Sequence, residues 1–118
     1  MTVWTTGHRN PFRLTSFNGN IYTSDTGWYS FEEVNKLVQG SNYGWPCAEG
    51  LVPTPGYGNY LNAYCVDLIT RNAITNAFIA YPYPSILNGG GERASVSAVA
   101  GYGARFYAGD IMQRCVKL

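Results

Sequence analysis

The chain has 118 residues and a mass of 13.0 kDa, which is the length of one domain and enough to bury a core. Hydrophobic residues make up 46% of it, which excludes a disordered tail, and a net charge of +1 without clustered basic residues excludes a nucleic-acid surface. Aromatic residues reach 15%, and this share, with 14 glycines and six prolines, favours a β-rich protein with many turns.

No segment of the sequence predicts an export signal or a membrane span. Residues 1–25 lack the charged start and apolar run of a secretory signal. The longest uncharged stretch, 72–91, contains three asparagines, two prolines and three glycines, which excludes a membrane helix.

The first predicted element is a β-hairpin. Residues 12–17 and 20–24 flank Asn18-Gly19, a pair preferred in type I′ turns because both central residues need a positive φ. A second hairpin is predicted from residues 95–100 and 104–109 around Gly101-Tyr102-Gly103, and a last strand from residues 112–118.

Residues 30–39 have two interpretations. Ser30 and Glu33 form a capping box for a short helix that Gly40 would close. A loop followed by a strand is favoured, because ten residues make a marginal helix and the surrounding segments are β.

The two hairpins resemble each other. Tyr22 and Tyr107 stand 85 positions apart, and an aspartate follows each, at Asp25 and Asp110. A propeller blade takes roughly 40 to 50 residues, so this offset predicts either two blades or one blade with a long insertion around residues 50–77. Chance similarity is the alternative. The same Tyr-x-x-Asp spacing at residues 64–67 is interpreted as a coincidence.

Two blades do not make a closed ring. Propellers close with about four to eight blades, and two open blades would expose sheet faces and edges. We therefore expect either a piece of a longer protein or several copies that complete the ring.

Three cysteines leave two alternatives. Cys47 and Cys65 stand 18 positions apart, and a bridge between them would contribute roughly 3 kcal/mol and leave Cys115 for a partner outside the chain. Three buried free thiols in a reducing compartment are the other alternative.

Residues 6–50 carry four ordered motifs. They are Gly7-His8-Arg9-Asn10-Pro11-Phe12-Arg13, Asp25-Thr26-Gly27, Glu32-Glu33-Val34-Asn35, and Gly40-Ser41-Asn42-Tyr43-Gly44-Trp45-Pro46 with Glu49-Gly50. Together these motifs resemble the glucose/sorbosone dehydrogenase family, the soluble quinoprotein sugar dehydrogenases. Residues 95–118 resemble, more weakly, the strand pair that follows in that family.

The resemblance implies an all-β fold of antiparallel four-stranded blades, with the chain forming about two blades of a six-bladed β-propeller. Residues 1–118 would be one partial domain, with blade hairpins near 1–50 and 78–118 and a long loop at 51–77. It further implies pyrroloquinoline quinone (PQQ) at the channel mouth, calcium beside it, and oxidation of a sugar at its C1 hydroxyl. By the same resemblance, the location would be extracellular or periplasmic.

Arg9 and Asn10 match the family's cofactor-contacting Arg-Asn pair. PQQ is a tricarboxylate, and a guanidinium suits carboxylates because it forms forked, charge-assisted hydrogen bonds. The alternative is that Arg9 pairs with a local carboxylate such as Asp25 and only fixes the loop.

Three residues match the family's calcium positions. Gly27 and Trp28 are expected to offer main-chain oxygens to the calcium beside the cofactor, and Glu33 a carboxylate to a second, structural calcium. Calcium prefers oxygen ligands, backbone carbonyls included. The alternative is a plain turn, with Glu33 facing water.

No catalytic residue is expected in this chain. The family's general base is a histidine on a blade that the chain lacks, and the lone His8 is interpreted as structural. Phe12 and Met112 stand where the best-studied branch has a glutamine and a cofactor-contacting lysine. The aromatic segments 43–46 and 81–84 are interpreted as packing residues rather than as sugar-stacking rings.

These inferences predict part of a PQQ-dependent sugar dehydrogenase-like protein whose isolated chain is inactive. Its partners would be a sugar and an electron acceptor, with no nucleic acid and no membrane. One alternative is a non-catalytic extracellular propeller that binds proteins, as the hedgehog-interacting relatives of this family do. Another is self-association, in which three copies complete six blades.

Overall fold

The computed structural model describes residues 2–57, 62–83 and 94–111, and the backbone alone of 114–117. In chain order the elements are β1 (Pro11–Phe17), β2 (Asn20–Asp25), β3 (Phe31–Lys36), β4 (Ala48–Glu49), β5 (Val52–Pro53), α1 (Ala63–Thr70), β6 (Ile79–Pro82), β7 (Val96–Tyr102), β8 (Arg105–Asp110) and β9 (Arg114–Lys117). All strand pairs within the described sheets are antiparallel. The prediction of an all-β fold of antiparallel blades is therefore confirmed.

The first blade is a four-stranded sheet with the order β1-β2-β3-β6. Its fourth strand comes only after residues 37–78, which form an insertion that contains β4, β5 and α1. The second described sheet has the order β7-β8-β9. Of the two interpretations of the 85-residue offset, one blade with a long insertion is therefore correct.

The Asn18-Gly19 hairpin is confirmed. Both residues have positive φ, 47° and 73°, and the strands pair from Phe17 with Asn20 onward. Residues 31–36 form β3, so the strand interpretation of this segment is also confirmed. A strand forms there because β3 pairs with β2 on one side and with β6 on the other, which supplies hydrogen bonds that an isolated helix of this length would lack.

The second hairpin turns later than predicted. Gly101 and Tyr102 belong to β7, and the turn lies at Gly103, whose φ is 58°. Gly101 is needed inside the strand because Phe17 of the first blade packs on it: a Cβ there would lie 2.0 Å from the Phe17 Cδ2. The predicted last strand corresponds to β9, and residues 112, 113 and 118 lie outside the described residues.

The sequence repeat is also a structural repeat. The first strand of each sheet carries a register shift near its start, at Pro11/Arg13 in β1 and at Val96/Ala98 in β7. Before each shift an aspartate accepts a main-chain hydrogen bond: Asp25 Oδ1 from Asn10 N at 2.6 Å, and Asp110 Oδ2 from Ser95 N at 3.0 Å. The 85-residue spacing is kept in both bonds, so the two sheets begin with the same local geometry.

The main core lies between the two sheets. Its buried members are Tyr22, Val34, Val96, Val99, Phe106 and Ala108, and Phe17, Ile79 and Tyr81 pack against them. Phe106 lies at its centre, with ring centroids 5.8 Å from Phe17, 4.7 Å from Tyr22 and 6.1 Å from Phe78. Two sheets that bury their facing side chains in this way stabilise each other as adjacent layers do in other β-proteins.

The insertion has its own small core, which contains the predicted disulfide. Cys47 and Cys65 are bridged, and they pack with Leu68 and Ile74. The predicted Cys47–Cys65 bridge is therefore confirmed, and the alternative of three free thiols is wrong. The side chain of Cys115 lies outside the described part of the chain. The helix α1 was not predicted from the sequence. Because residues 64–67 lie in this helix, their Tyr-x-x-Asp spacing is a coincidence, as predicted.

None of the described residues belongs to a helix that is long and apolar enough to cross a membrane. The helix α1 has only eight residues.

Candidate functional site

Arg9 lies at the end of the first blade where β1 begins and β2 ends. Its Nη1 donates hydrogen bonds to Gly27 O at 2.7 Å and to Thr26 O at 3.1 Å, and its guanidinium lies over the Trp45 ring, 5.6 Å from the centroid. The side chain is exposed. Two carbonyls and one aromatic face therefore hold a solvent-accessible cation at this rim.

Asp25 fixes this loop through the main chain. Its carboxylate accepts hydrogen bonds from the backbone N of Arg9 at 3.1 Å and of Asn10 at 2.6 Å. Asn10 in turn accepts one at its carbonyl from Thr26 N, and it is exposed. The alternative, in which the Arg9 side chain pairs with Asp25, is therefore wrong. Asp25 binds the main-chain N–H of Arg9, and the guanidinium donates to carbonyl oxygens instead.

Glu49 organises the loop between β2 and β3. Its buried carboxylate accepts hydrogen bonds from the main-chain N–H groups of Trp28, Tyr29, Ser30 and Phe31. Gly27 precedes these residues and lies so close to Phe31 that a Cβ on it would be 1.7 Å from Phe31 O. The carbonyls of residues 26 and 27 are thereby aimed at Arg9. Glu49 belongs to one of the sequence motifs, but no role was predicted for it.

Glu32 connects the loop to the second sheet. Its Oε1 accepts from Gly27 N at 3.2 Å and its Oε2 from Val96 N at 2.7 Å. The side chain is fully buried, and burial raises its pKa from the usual 4.5 to about 7 against the opposing effect of these hydrogen bonds. This residue, too, had no role from the sequence. Both glutamates could have been noticed in the sequence. A glutamate in a segment that forms a buried strand is expected to have a partner, because acidic residues are rarely buried without one.

Glu33 faces the interior rather than water. Its carboxylate accepts hydrogen bonds from Gly50 N and from Asn35 Nδ2, the latter at 3.2 Å. Burial raises its pKa from the usual 4.5 to about 7, and the negative charges of Asp25 and Glu49 add to that increase. The alternative of a water-facing Glu33 is therefore wrong.

His8 has structural contacts. Its ring stacks on Tyr43 at 4.9 Å, its Nε2 lies 2.9 Å from Thr5 Oγ1, and its Nδ1 lies 3.3 Å from Asp25 Oδ2. These contacts hold the segment before Arg9 in place, which agrees with the interpretation of His8 as a structural residue.

The aromatic residues divide into two groups. Tyr43 and Tyr83 are buried packing residues, as predicted for their segments, and Tyr81 donates a hydrogen bond to Asp110 Oδ2 at 2.6 Å. The Trp45 ring is different: it contacts both Trp28 and Tyr57. Phe12 is exposed on β1, and Met112 lies outside the described residues.

The space between the residues expected to bind calcium is small. A cavity of about 10 Å³ is lined by Arg9, Gly27 and the three carboxylates of Asp25, Glu33 and Glu49, among others. The Gly27 carbonyl already accepts from Arg9, and within the described ranges no three His, Cys, Asp or Glu side chains come together to hold a metal ion. The charge of the donors suits calcium, but the Gly27 carbonyl and the Glu33 carboxylate already accept hydrogen bonds within the chain.

The fit to PQQ is better. The carboxylates of that group need donors that can be reached from solvent, and Arg9 presents a guanidinium held at Nη1 alone by the described residues. Asn10 stands beside it, exposed and fixed at its main chain. The residues predicted for the cofactor side are therefore brought together at one rim.

The antiparallel sheets, which begin with the same local geometry and pack on each other, are blades of a partial β-propeller. The glucose / sorbosone dehydrogenase family matches residues 1–113. The chain belongs to this family.

Three known proteins are similar to the chain. Quinoprotein glucose dehydrogenase B of Acinetobacter calcoaceticus is 43% identical over 56 residues, which is 47% of this chain and 12% of that protein. HIPL2 protein of Arabidopsis thaliana is 27% identical over 104 residues, 85% of this chain and 14% of that protein. The PQQ-bound aldose sugar dehydrogenase of Streptomyces coelicolor superposes with a TM-score of 0.68 at 22% identity, over 98% of this chain and 28% of that one.

The solved structure shows the likeness of fold. The chain spans well under a third of each of these three relatives. The activity, substrates and partners of the whole protein are therefore proposals.

Proposed function

We propose that this chain is the part of a PQQ-dependent sugar dehydrogenase that contributes Arg9 and Asn10 to the cofactor site. The observation that carries the proposal is the exposed Arg9 guanidinium, held by Thr26 O, Gly27 O and the Trp45 ring. The names of two relatives, a quinoprotein glucose dehydrogenase and a PQQ-bound aldose sugar dehydrogenase, support the same cofactor and substrate class.

The residues have separate tasks in this proposal. Arg9 binds a carboxylate of the cofactor and stabilises negative charge at the rim, because its charge is permanent and its donors are fixed in direction. Asp25 and Glu49 hold the two main-chain segments on which that direction depends. When bound, PQQ supplies a quinone that takes two electrons from the sugar C1. The proton acceptor comes from outside this chain, since His8 is engaged with Thr5 and Tyr43.

The calcium positions Gly27, Trp28 and Glu33 stay a prediction. Calcium at Gly27 would compete with Arg9 for the same carbonyl, and at Glu33 it would compete with the Gly50 N–H. No step of the proposed reaction is assigned to it. A calcium-dependent rise in melting temperature that disappears in Glu33→Gln would support the site at Glu33, and an unchanged melting temperature would reject it.

An extracellular or periplasmic location is part of the proposal. The Cys47–Cys65 disulfide supports it, because such bridges persist in oxidising compartments.

A non-catalytic binding propeller is the second candidate. The similarity to HIPL2 protein covers 85% of this chain, more than the 47% covered by the glucose dehydrogenase, and Phe12 places an exposed apolar ring where a polar cofactor contact was expected. In this candidate Arg9 would contact a protein surface instead of a cofactor.

PQQ binding to the protein that carries this chain distinguishes the two candidates. We expect Arg9→Ala to weaken PQQ binding at least tenfold, because hydrogen bonds to charged groups contribute about 1.5–3 kcal/mol. Arg71→Ala is the matched control, since Arg71 pairs with Asp67 on the exposed side of α1. Absence of PQQ binding, or equal binding by the Arg9 variant, would favour the binding propeller.

The isolated chain is expected to show no dehydrogenase turnover with PQQ, calcium, glucose and a dye acceptor. The chain covers only 12% and 28% of two of its relatives, and in this proposal the proton acceptor and much of the cofactor's surroundings lie outside it. Turnover at rates normal for such enzymes would overturn this expectation.

A further inference from the structure

The two carbonyls that hold Arg9 belong to residues that are both connected to the second sheet. Thr26 accepts from Arg9 at its carbonyl and donates from its Oγ1 to Val96 O at 3.0 Å. Gly27 accepts from Arg9 at its carbonyl and donates from its N–H to Glu32 Oε1 at 3.2 Å. Glu32 Oε2 in turn accepts from Val96 N at 2.7 Å. The two connections therefore end on the carbonyl and the N–H of one residue, Val96.

We call these three hydrogen bonds, Thr26 Oγ1 to Val96 O, Gly27 N to Glu32 Oε1 and Val96 N to Glu32 Oε2, the Val96 link. Val96 and Glu32 are fully buried, and Thr26 is half-buried. Hydrogen bonds that are shielded from water are electrostatically stronger than exposed ones, and a buried group that loses its partner costs free energy. The Val96 link therefore resists displacement of residues 26 and 27 from the second sheet.

Val96 is itself fixed by its strand and by the core. It is the first residue of β7, where it pairs with Asp110 of β8. Its side chain belongs to the buried cluster between the two sheets, together with Val99 and Phe106. The second sheet therefore provides a fixed reference for the two carbonyls that hold Arg9.

The Val96 link and Glu49 restrain different parts of the loop. Glu49 accepts from the N–H groups of residues 28–31, which follow the two carbonyls in the chain. The Val96 link acts on residues 26 and 27 themselves. Because a guanidinium is planar and donates along fixed directions, a shift of the carbonyls that hold Arg9 turns the whole group.

We propose that Thr26 and Glu32 are positioning residues for Arg9, and that through them the second sheet sets the direction in which the guanidinium meets a cofactor carboxylate. This inference rests on the proposed PQQ-binding function. It goes beyond that function, because it makes the affinity of the cofactor site depend on a contact between two sheets.

The order of Arg9 in the ligand-free protein is the first test. Rotation of the guanidinium is measured by NMR on the protein that carries this chain, labelled with ¹⁵N-arginine, and Arg9→Lys identifies the Arg9 signal. We expect Thr26→Val, which keeps the shape of the side chain and removes the hydroxyl, to speed up this rotation at least about threefold. Thr26→Ser restores the hydroxyl and should restore slow rotation.

The affinity for PQQ is the second test. We expect Thr26→Val to lower it about fivefold, which is the effect of one uncharged hydrogen bond. Glu32→Gln should lower it as well, because the side-chain amide has one acceptor oxygen in place of two. In an Arg9→Ala background, Thr26→Val is expected to cause no further loss, since a positioning residue acts only through the residue that it positions.

Thr23→Val is the matched control. Thr23 is a buried threonine of the same blade, and its hydroxyl donates to Arg13 O at 2.9 Å, so the variant removes a comparable hydrogen bond between β1 and β2. We expect it to lower the melting temperature and to change neither the rotation of Arg9 nor the affinity for PQQ. Circular dichroism of every variant shows that the fold is retained.

The outcomes separate the inference from the proposed function. Unchanged rotation of Arg9 in Thr26→Val, or an equal change in Thr23→Val, would overturn the inference. A loss of PQQ affinity that is the same with and without Arg9 would also overturn it, because Thr26 would then support the fold alone. If PQQ does not bind the parent protein, the proposed cofactor is rejected, and the rotation of Arg9 decides the inference by itself.

Discussion

Glu49 lies 20 residues from the loop whose main chain it binds. Its carboxylate is the acceptor for four consecutive N–H groups, including those of Tyr29 at 3.0 Å and Ser30 at 3.3 Å. Buried N–H groups that lose their acceptor cost about 1–3 kcal/mol each. The carbonyls that hold Arg9 belong to the same loop, so this one carboxylate supports both stability and the site.

We expect Glu49→Ala to lower the free energy of unfolding by at least about 2 kcal/mol, because N–H groups of the loop lose their acceptor. Glu49→Gln keeps one acceptor oxygen and should lose less. The free energies are measured by urea denaturation. Asp67→Asn, which changes an exposed carboxylate on α1, is the control and should have little effect. Equal stability of the alanine variant and the parent would contradict the role given to Glu49.

Glu33 makes stability depend on pH. Burial raises its folded-state pKa from 4.5 to about 7, so its contribution is fully present below pH 4.5 and is lost as the pH rises through 7. Glu32 acts in the same direction. We therefore expect the free energy of unfolding to fall between pH 4.5 and pH 7.5, and to fall less steeply in Glu33→Gln. Urea titrations at several pH values measure both slopes, and identical slopes would refute the assignment.

The disulfide connects α1 to the segment that carries Trp45 and Glu49. An eight-residue helix is marginal by itself, and α1 buries only Cys65 and Leu68. The bridge to Cys47 therefore supplies much of what holds this helix against β4.

Removing the bridge with Cys47→Ala and Cys65→Ala is expected to lower the free energy of unfolding by roughly 3 kcal/mol, as for a closed loop of this length. The comparison is made in a Cys115→Ser background, so that no free thiol remains in the variant. Hydrogen exchange at the Val66 amide, which bonds Asn62 O, should accelerate. Unchanged exchange at Val66 would show that the helix is held by packing alone.

Elements with local signals were the ones that the sequence predicted. The Asn18-Gly19 pair defines its own turn, and β3 follows from strands on both sides. By contrast, α1 has a local N-cap at Asn62 but is anchored by a cysteine 18 positions away in the sequence. The motif predicted that Arg9 belongs to the site. Its contacts with Gly27 and Trp45 could not be predicted, because they depend on how segments distant in the sequence pack together.

The core between the two sheets is built around Phe106 of β8, whose ring contacts Phe17 and Tyr22 of the first sheet. We expect Phe106→Ala to destabilise the fold by about 3–5 kcal/mol, because it removes a buried ring and leaves a cavity. Tyr102→Ala, at a position 81% exposed, should change stability by less than about 0.5 kcal/mol. Thermal unfolding followed by circular dichroism compares the two. Similar losses in both variants would mean that the sheets do not depend on this core.

The first strand leaves apolar side chains uncovered. Phe12 and Leu14 on β1 are 57% and 66% exposed, and the relatives are several times longer than this chain. We expect the chain alone to self-associate through this strand, since exposed apolar strands favour pairing. Analytical ultracentrifugation measures the mass: three times 13.0 kDa would fit a ring completed by three copies. Phe12→Ser with Leu14→Ser should be monomeric, and a monomeric parent would remove this expectation.

The loop that Glu49 binds has a further meaning for any anion that approaches this rim. Consecutive main-chain N–H groups of this kind form an anion nest, and in this protein the nest is filled by the chain's own carboxylate. These N–H groups are therefore not free to bind an incoming carboxylate, and the Arg9 guanidinium is the exposed donor that lies beside them.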